Sequence, residues 1–149
     1  MRIRLDGDEV VLEFAENEAP TLSTLFGEFL AVLDDDADPA AARLFPDGYR
    51  GDDEAAAEFR RYTRDGLRDR KRAGATRVRD AIGPEVRLSA DEATAWLAPL
   101  TDLRLVLAER IGIRSDDDVP DTVAGEVYGW LGYLQESILR LLEMREDRR

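Results

Sequence analysis

The sequence predicts a mainly α fold, a bundle of four to five helices with a small N-terminal β-hairpin packed on it. Three observations carry that expectation. Apolar residues recur at three- and four-residue steps through the long segments, the first residues alternate around Asp6-Gly7-Asp8, and Ser89 and Glu92 stand at capping-box spacing. At 149 residues and 44% apolar composition, the chain has the size and the means to bury a core. No internal repeat or low-complexity linker interrupts it, so residues 1–149 read as a single helical domain.

Residues 1–15 form the expected hairpin, with strands at Arg2–Asp6 and Glu9–Phe14 and an Asp-Gly turn. A helix over 18–35 follows, opened near Pro20 and Thr21, with Leu22, Leu25, Phe26, Phe29, Leu30 and Leu33 on one face. The Asp34-Asp35-Asp36-Ala37-Asp38-Pro39 run should end it, because aspartates oppose the helix dipole at this end and proline blocks continuation. Leu44 to Arg50 reads as a turn-rich connector. A helical region over 53–82, capped by Asp52 or Asp53, should be divided or weakened at Gly66 and stopped by Gly83-Pro84. Glu85 to Leu88 allows a short extended segment. The helix over 90–112 should kink or restart at Pro99 and close at Gly112. After a loop with Asp116-Asp117-Asp118, a last helix over 121–145 carries Val127, Trp130, Leu131, Leu134, Ile138 and Leu141, the strongest helical period in the chain.

Two absences bound the chemistry. The chain has no cysteine and no histidine, which excludes thiolate nucleophiles, disulfides, zinc clusters, Ser-His-Asp triads and imidazole metal sites. No catalytic residue, metal site or cofactor is therefore assigned, and the chain is read as a non-enzyme. Nothing approaches the ~18 continuous apolar residues of a membrane helix, and the first residues fit neither a signal nor a transit peptide, so no membrane partner is expected and the placement is cytoplasmic. Asp34, Asp36 and Asp38 have the first three spacings of a calcium loop, but Pro39 and Phe45 stand where glycine and glutamate are needed. Both aspartate clusters are read as solvated loops. Gly125 and Gly129, within an apolar helix, suit close approach of another helix or ring better than phosphate binding.

The formal net charge is −12, and of 21 basic residues only Lys71 is lysine; an Arg-heavy, Ala-rich composition also reflects genomic base usage. Phe59 to Arg79 holds nine basic residues against Asp65 and Asp69, a net +7 that leaves −19 elsewhere. Arg60, Arg64, Arg68 and Arg72 follow at four-residue steps with Arg61 beside them, forming a ridge on one helix face. Such a ridge is a solvated face paired with Asp65 and Asp69, a surface for an acidic protein, or a phosphate-binding surface, the last opposed by the anionic remainder. Arg104, within Leu103-Arg104-Leu105-Val106-Leu107, needs a partner from another element or an exposed position, since Asp102 points elsewhere on a helix.

The segments Leu44-Phe45-Pro46-Asp47-Gly48-Tyr49, Ala57 to Thr63, Trp96-Leu97 with Asp102-Leu103-Arg104-Leu105, and Tyr128-Gly129-Trp130-Leu131 with Leu134-Gln135 form an ordered set. Together they resemble an actinobacterial domain-of-unknown-function family that includes AosR-type oxidative-stress transcriptional regulators. The resemblance runs from the first strand to the last helix and makes Trp96, Asp102, Arg104 and Trp130 family-motif positions. It implies a cytoplasmic regulator that works with the transcription machinery, a sigma factor being one candidate partner. Redox sensing in AosR-like regulators rests on a nearby cysteine pair, which this cysteine-free chain departs from, and Pro99 falls where uninterrupted helix is expected. The functional expectation is a regulatory protein that binds an acidic partner protein, or less favourably DNA, through Arg60, Arg61, Arg64, Arg68 and Arg72. The alternatives are a structural or homodimerising module and a carboxylate- and metal-dependent hydrolase.

Overall fold

A computed structural model describes residues 1–45 and 54–148, apart from the side chains at positions 54–56, 60 and 116. The expected caps at Asp52 or Asp53, and the part of the connector from Pro46 to Arg50, lie outside the described residues. The elements are β1 (Arg2–Asp6), β2 (Glu9–Glu13), α1 (Glu18–Leu33), α2 (Pro39–Leu44), α3 (Glu54–Ala81), β3 (Glu85–Leu88), α4 (Ala90–Ile111) and α5 (Val123–Asp147). The mainly α expectation holds, with five α-helices among the described residues.

The hairpin forms as its alternation predicts, with Ile3 opposite Leu12 and Leu5 opposite Val10. Gly7 takes φ +61° in the turn, a conformation open to glycine without steric cost. The extended segment at Glu85–Leu88 becomes β3, which pairs antiparallel with the other edge of β2, Val10 opposite Leu88 and Leu12 opposite Val86. The result is a three-stranded sheet in the order β1-β2-β3 instead of an isolated hairpin. Its central strand buries Val10, Val11 and Leu12 completely. A two-stranded ribbon is marginal in water, and the third strand together with α4 and α5 supplies the missing support.

The main core draws Phe26, Phe29 and Leu33 from α1, Trp96, Leu100 and Leu103 from α4, and Leu131, Leu134 and Ile138 from α5 onto β2 and β3. α4 begins with the predicted capping box: the Ser89 hydroxyl accepts from the Glu92 amide at 3.2 Å, and the Glu92 carboxylate accepts from the Ser89 amide at 3.0 Å. It ends at Gly112, whose φ of +77° is the left-handed cap expected there.

Three expectations about breaks are refined: α1 ends before Pro39 as expected, but neither Gly66 nor Pro99 interrupts its helix. Pro39 does not merely stop α1; it starts α2, with Asp38 as N-cap accepting from the Ala40 amide at 2.9 Å, a position where the missing proline N–H costs nothing. Ala40, Ala41 and Leu44 bury one face of α2, and Arg43 holds Glu109 of α4 at 2.8 Å. Gly66 does not divide α3, which runs continuously for 28 residues. Pro99 lies inside the unbroken α4, buried against α3 where Gly74 leaves room: a Cβ at Gly74 would sit 3.4 Å from the proline ring.

The Gly125 and Gly129 pair also separates. A Cβ at Gly125 would lie 2.0 Å from the Pro120 carbonyl oxygen, so the close neighbour is the preceding loop and not another helix, whereas Gly129 faces open space. Gly125→Ala is expected to lower unfolding stability by about 1–3 kcal/mol through overpacking. Gly66→Ala, whose Cβ would meet only Arg70 at 3.8 Å, should raise it by up to about 1 kcal/mol. Urea denaturation followed by circular dichroism checks both.

Candidate functional site

α3 is poor in apolar anchors. Among its described side chains only Ala75 and Val78 are fully buried, with Leu67 partly so. The rest of its inner face carries cations, and these meet carboxylates of α4 and of the α1–α2 loop.

The deepest tie joins Lys71 to Asp102. The ammonium lies 3.0 Å from both carboxylate oxygens, and both side chains are largely withdrawn from water. Burial pushes the Asp102 pKa upwards, an effect that the hydrogen bond and charge of Lys71 offset only in part. Asp102 therefore turns away from Arg104, as helical spacing requires, and serves as the counter-charge of the one lysine in the chain.

The arginine row faces the aspartate loop. Arg64 and Arg68 donate to the same Asp36 oxygen at 3.2 and 2.8 Å, and Arg68 also reaches Asp65 at 3.4 Å. Arg72 donates both terminal nitrogens to Asp34, one of them at 3.1 Å, a bidentate fork that holds the Asp34 carboxyl below its usual pKa. The guanidinium groups of Arg64 and Arg68 also lie over the Phe45 ring, at 4.9 and 5.6 Å from its centre. On the far side of the loop, Asp38 takes both terminal nitrogens of Arg110 in α4. That pairing, with the Ala40 amide, lowers the Asp38 pKa to about 2. The aspartate cluster read as a solvated loop is thus an ionic clasp between α3 and α4. Helical spacing predicted the row, but the carboxylates that meet it are chiefly Asp34 and Asp36, with Asp65 secondary and Asp69 forming no ion pair among the described residues.

Of the other ridge positions, the Arg60 side chain lies outside the described residues, and Arg61 is exposed with no carboxylate within ion-pair distance among them. On α3, Phe59 is 68% exposed and Tyr62 79% exposed, three residues apart and so on one face of the helix. Sequence periodicity alone does not mark these rings, because an aromatic residue in a helix is ordinarily assigned to the core.

A second surface lies where α4 meets α5. Arg104 stacks over the Tyr128 ring at 4.4 Å, and its guanidinium lies so close to Gly132 that a Cβ there would sit 3.0 Å away. Its Nε is buried with no hydrogen-bond acceptor, and among the described residues no carboxylate pairs with it. The groove above it has a volume of about 530 Å³ and is walled by Leu97, Tyr133 and Leu139. Trp96 is a core residue, and Trp130 packs edge-on against Phe14 with ring centres 6.2 Å apart.

Among the described residues no three acidic, histidine or cysteine side chains converge to hold a metal ion, and no helix is long and apolar enough to cross a membrane. Asp34, Asp36 and Asp38 each face an arginine.

Residues 1–142 match the model of DUF2017, a domain of unknown function. The chain belongs to the DUF2017 family. Among curated proteins, the DUF2017 chain is similar to the oxidative stress regulator AosR of Mycobacterium bovis and of Mycobacterium tuberculosis. The identity is 28% over 182 aligned positions, covering 92% of this chain and 84% of the relative. No solved structure matches. The family expected from the ordered motifs is the one found, and a regulatory role is the coarse function the kinship supports.

Two stability predictions follow from the ion pairs. Lys71→Met leaves Asp102 buried without its partner and should cost about 3–5 kcal/mol at neutral pH. The loss should shrink on acidification, because a carboxyl with a raised folded pKa penalises the fold only once it ionises. Denaturation midpoints across pH check this. Asp38 has the opposite sign: its folded pKa of about 2 lies below the usual carboxyl value of 3.8, so its stabilising contribution is complete above that value and lost as pH falls towards 2. Asp38→Asn, which keeps a capping side chain, should flatten the acid limb of the stability curve between those values.

Proposed function

We propose that this DUF2017 chain is a non-enzymatic, transcription-associated cytoplasmic regulator that binds an acidic partner protein through the outer face of α3. No cofactor or metal takes part in this reading. The observation that carries it is the pair of exposed rings, Phe59 and Tyr62, one helical turn apart on the same face of α3. Aromatic residues and arginine are enriched at the energetic centre of protein interfaces, and the rings give large contact area with few rotatable bonds.

Arg64, Arg68 and Arg72 support this surface from behind. Their pairs with Asp34 and Asp36 involve exposed carboxylates and are individually weak, about 0–1 kcal/mol each. A carboxylate-bearing partner can therefore exchange with the loop at small cost, and the guanidinium groups are already held in a row by the Phe45 ring. A protein fits better than DNA, because the chain's net charge of −12 opposes a polyanion and two arginine-row counter-charges are already in place. The resemblance to AosR-type transcriptional regulators favours a component of the transcription machinery, a sigma factor included, as the partner class. The cysteine-free sequence requires that any signal reach this chain by a route other than its own thiols.

The test is affinity capture from the native cytoplasm with wild type and the Phe59→Ser, Arg61→Glu, Tyr62→Ser triple variant as baits. The substituted side chains are exposed, so circular dichroism should be unchanged while recovery of the partner falls by tenfold or more. Full recovery with the variant would remove α3 from the contact. Loss of capture that tracks steeply with salt, with nucleic acid in the eluate, would favour the DNA reading instead.

A further inference from the structure

We propose that a second copy of this chain docks on the open face of α5, the two α5 helices running antiparallel about a twofold axis near their middle. This rests on observations separate from the α3 surface. One face of α5 is committed to the core through Tyr128, Leu131, Leu134 and Ile138. The opposite stripe, Gly129, Gly132, Tyr133, Glu136 and Leu139, has the three- and four-residue spacing of a helix-packing face; Arg104 of α4 lies against Gly132, and the other four positions are exposed. Tyr133 is 56% exposed and Leu139 47% exposed, and Gly129 looks into open space.

Charge decides what fits there. Arg104, which pairs with no carboxylate among the described residues, presents its guanidinium at the floor of this groove, pressed against Gly132, and Glu136 stands one turn further along the same stripe. A twofold contact is self-complementary only if each feature of the patch meets its complement on the other copy. Antiparallel pairing that sets Glu136 of one copy opposite Gly132 of the other brings that carboxylate to the partner's guanidinium. Gly129 and Gly132 are separated by the same three residues as Glu136 and Leu139, so the same register seats Leu139 in the open space over Gly129. Two charge pairs and two apolar insertions thus form together, with Tyr133 of each copy beside the axis. The absent side chain at Gly129 leaves room for close approach of the second helix, while that at Gly132 accommodates the Arg104 guanidinium.

Sedimentation velocity on the full chain tests the register. Wild type should sediment at twice its 16.8 kDa mass at micromolar concentration. E136R places like charges at both contacts and should sediment as a monomer, as should R104E. An equimolar mixture of the two variants should return to the dimer mass, because every contact in the mixed pair is again between opposite charges. G129L fills the space that Leu139 needs and should dissociate the dimer while raising the melting temperature of the monomer, since it removes a glycine from a helix interior. That combination also covers the case in which R104E fails to fold, as a merely destabilising substitution cannot produce it. A monomeric wild type, a dimer that survives both E136R and G129L, or a mixture of two folded variants that stays monomeric would each overturn the proposal.

Discussion

Lys71 and Asp102 meet where α3 crosses α4, and the position of the long helix depends on that contact. A helix with so few buried apolar residues gains little from the hydrophobic effect, which scales with apolar area removed from water. Charge contributes to its alignment: the buried Lys71 pair ties it to α4, and the weaker exposed pairs of Arg64, Arg68 and Arg72 turn that face towards the α1–α2 loop. A buried pair is costly to break and gives limited net stability when intact, so its effect is to make one arrangement far better than its neighbours. The close fit of Gly74 against Pro99 acts at the same crossing and sets how near the two helices lie.

The acidic composition acquires a structural meaning from this arrangement. In a chain with net charge −12, three arginines of α3, Arg64, Arg68 and Arg72, are matched with aspartates from a single short loop. That loop serves two helices at once, with Asp34 and Asp36 turned to α3 and Asp38 to α4 while also capping α2. The outward side of α3 is left carrying two aromatic rings and Arg61 with none of these constraints. The proposed partner surface is thus the part of the helix that folding does not consume. Arg104 stands apart among the described residues as a cation held by an aromatic face in place of a carboxylate.

Much of the architecture was legible in residue order. The Asp-Gly turn, the Ser89–Glu92 capping box, the Gly112 stop and the apolar stripes of α1, α4 and α5 are local features, each with a local physical cause. The ordered motifs also identified the family. What misled was punctuation read in isolation. Pro39, Gly66 and Pro99 all look like breaks, but an N1 proline is well placed in a helix, one glycine costs only about 1 kcal/mol, and a buried proline facing a glycine is offset by packing.

Sequence by itself determined the inventory: a helical, cysteine- and histidine-free, anionic chain of a regulator-containing family, with its cations gathered at four-residue steps along one helix. Only the tertiary structure decided what those cations face, because ion-pair partners 28 to 38 residues apart are set by how α1, α3 and α4 cross. The same holds for β3 joining the sheet, for Phe59 and Tyr62 standing in water, and for the open stripe of α5. Periodicity states that a helix has faces. Which of them is covered depends on neighbours brought there by long-range packing.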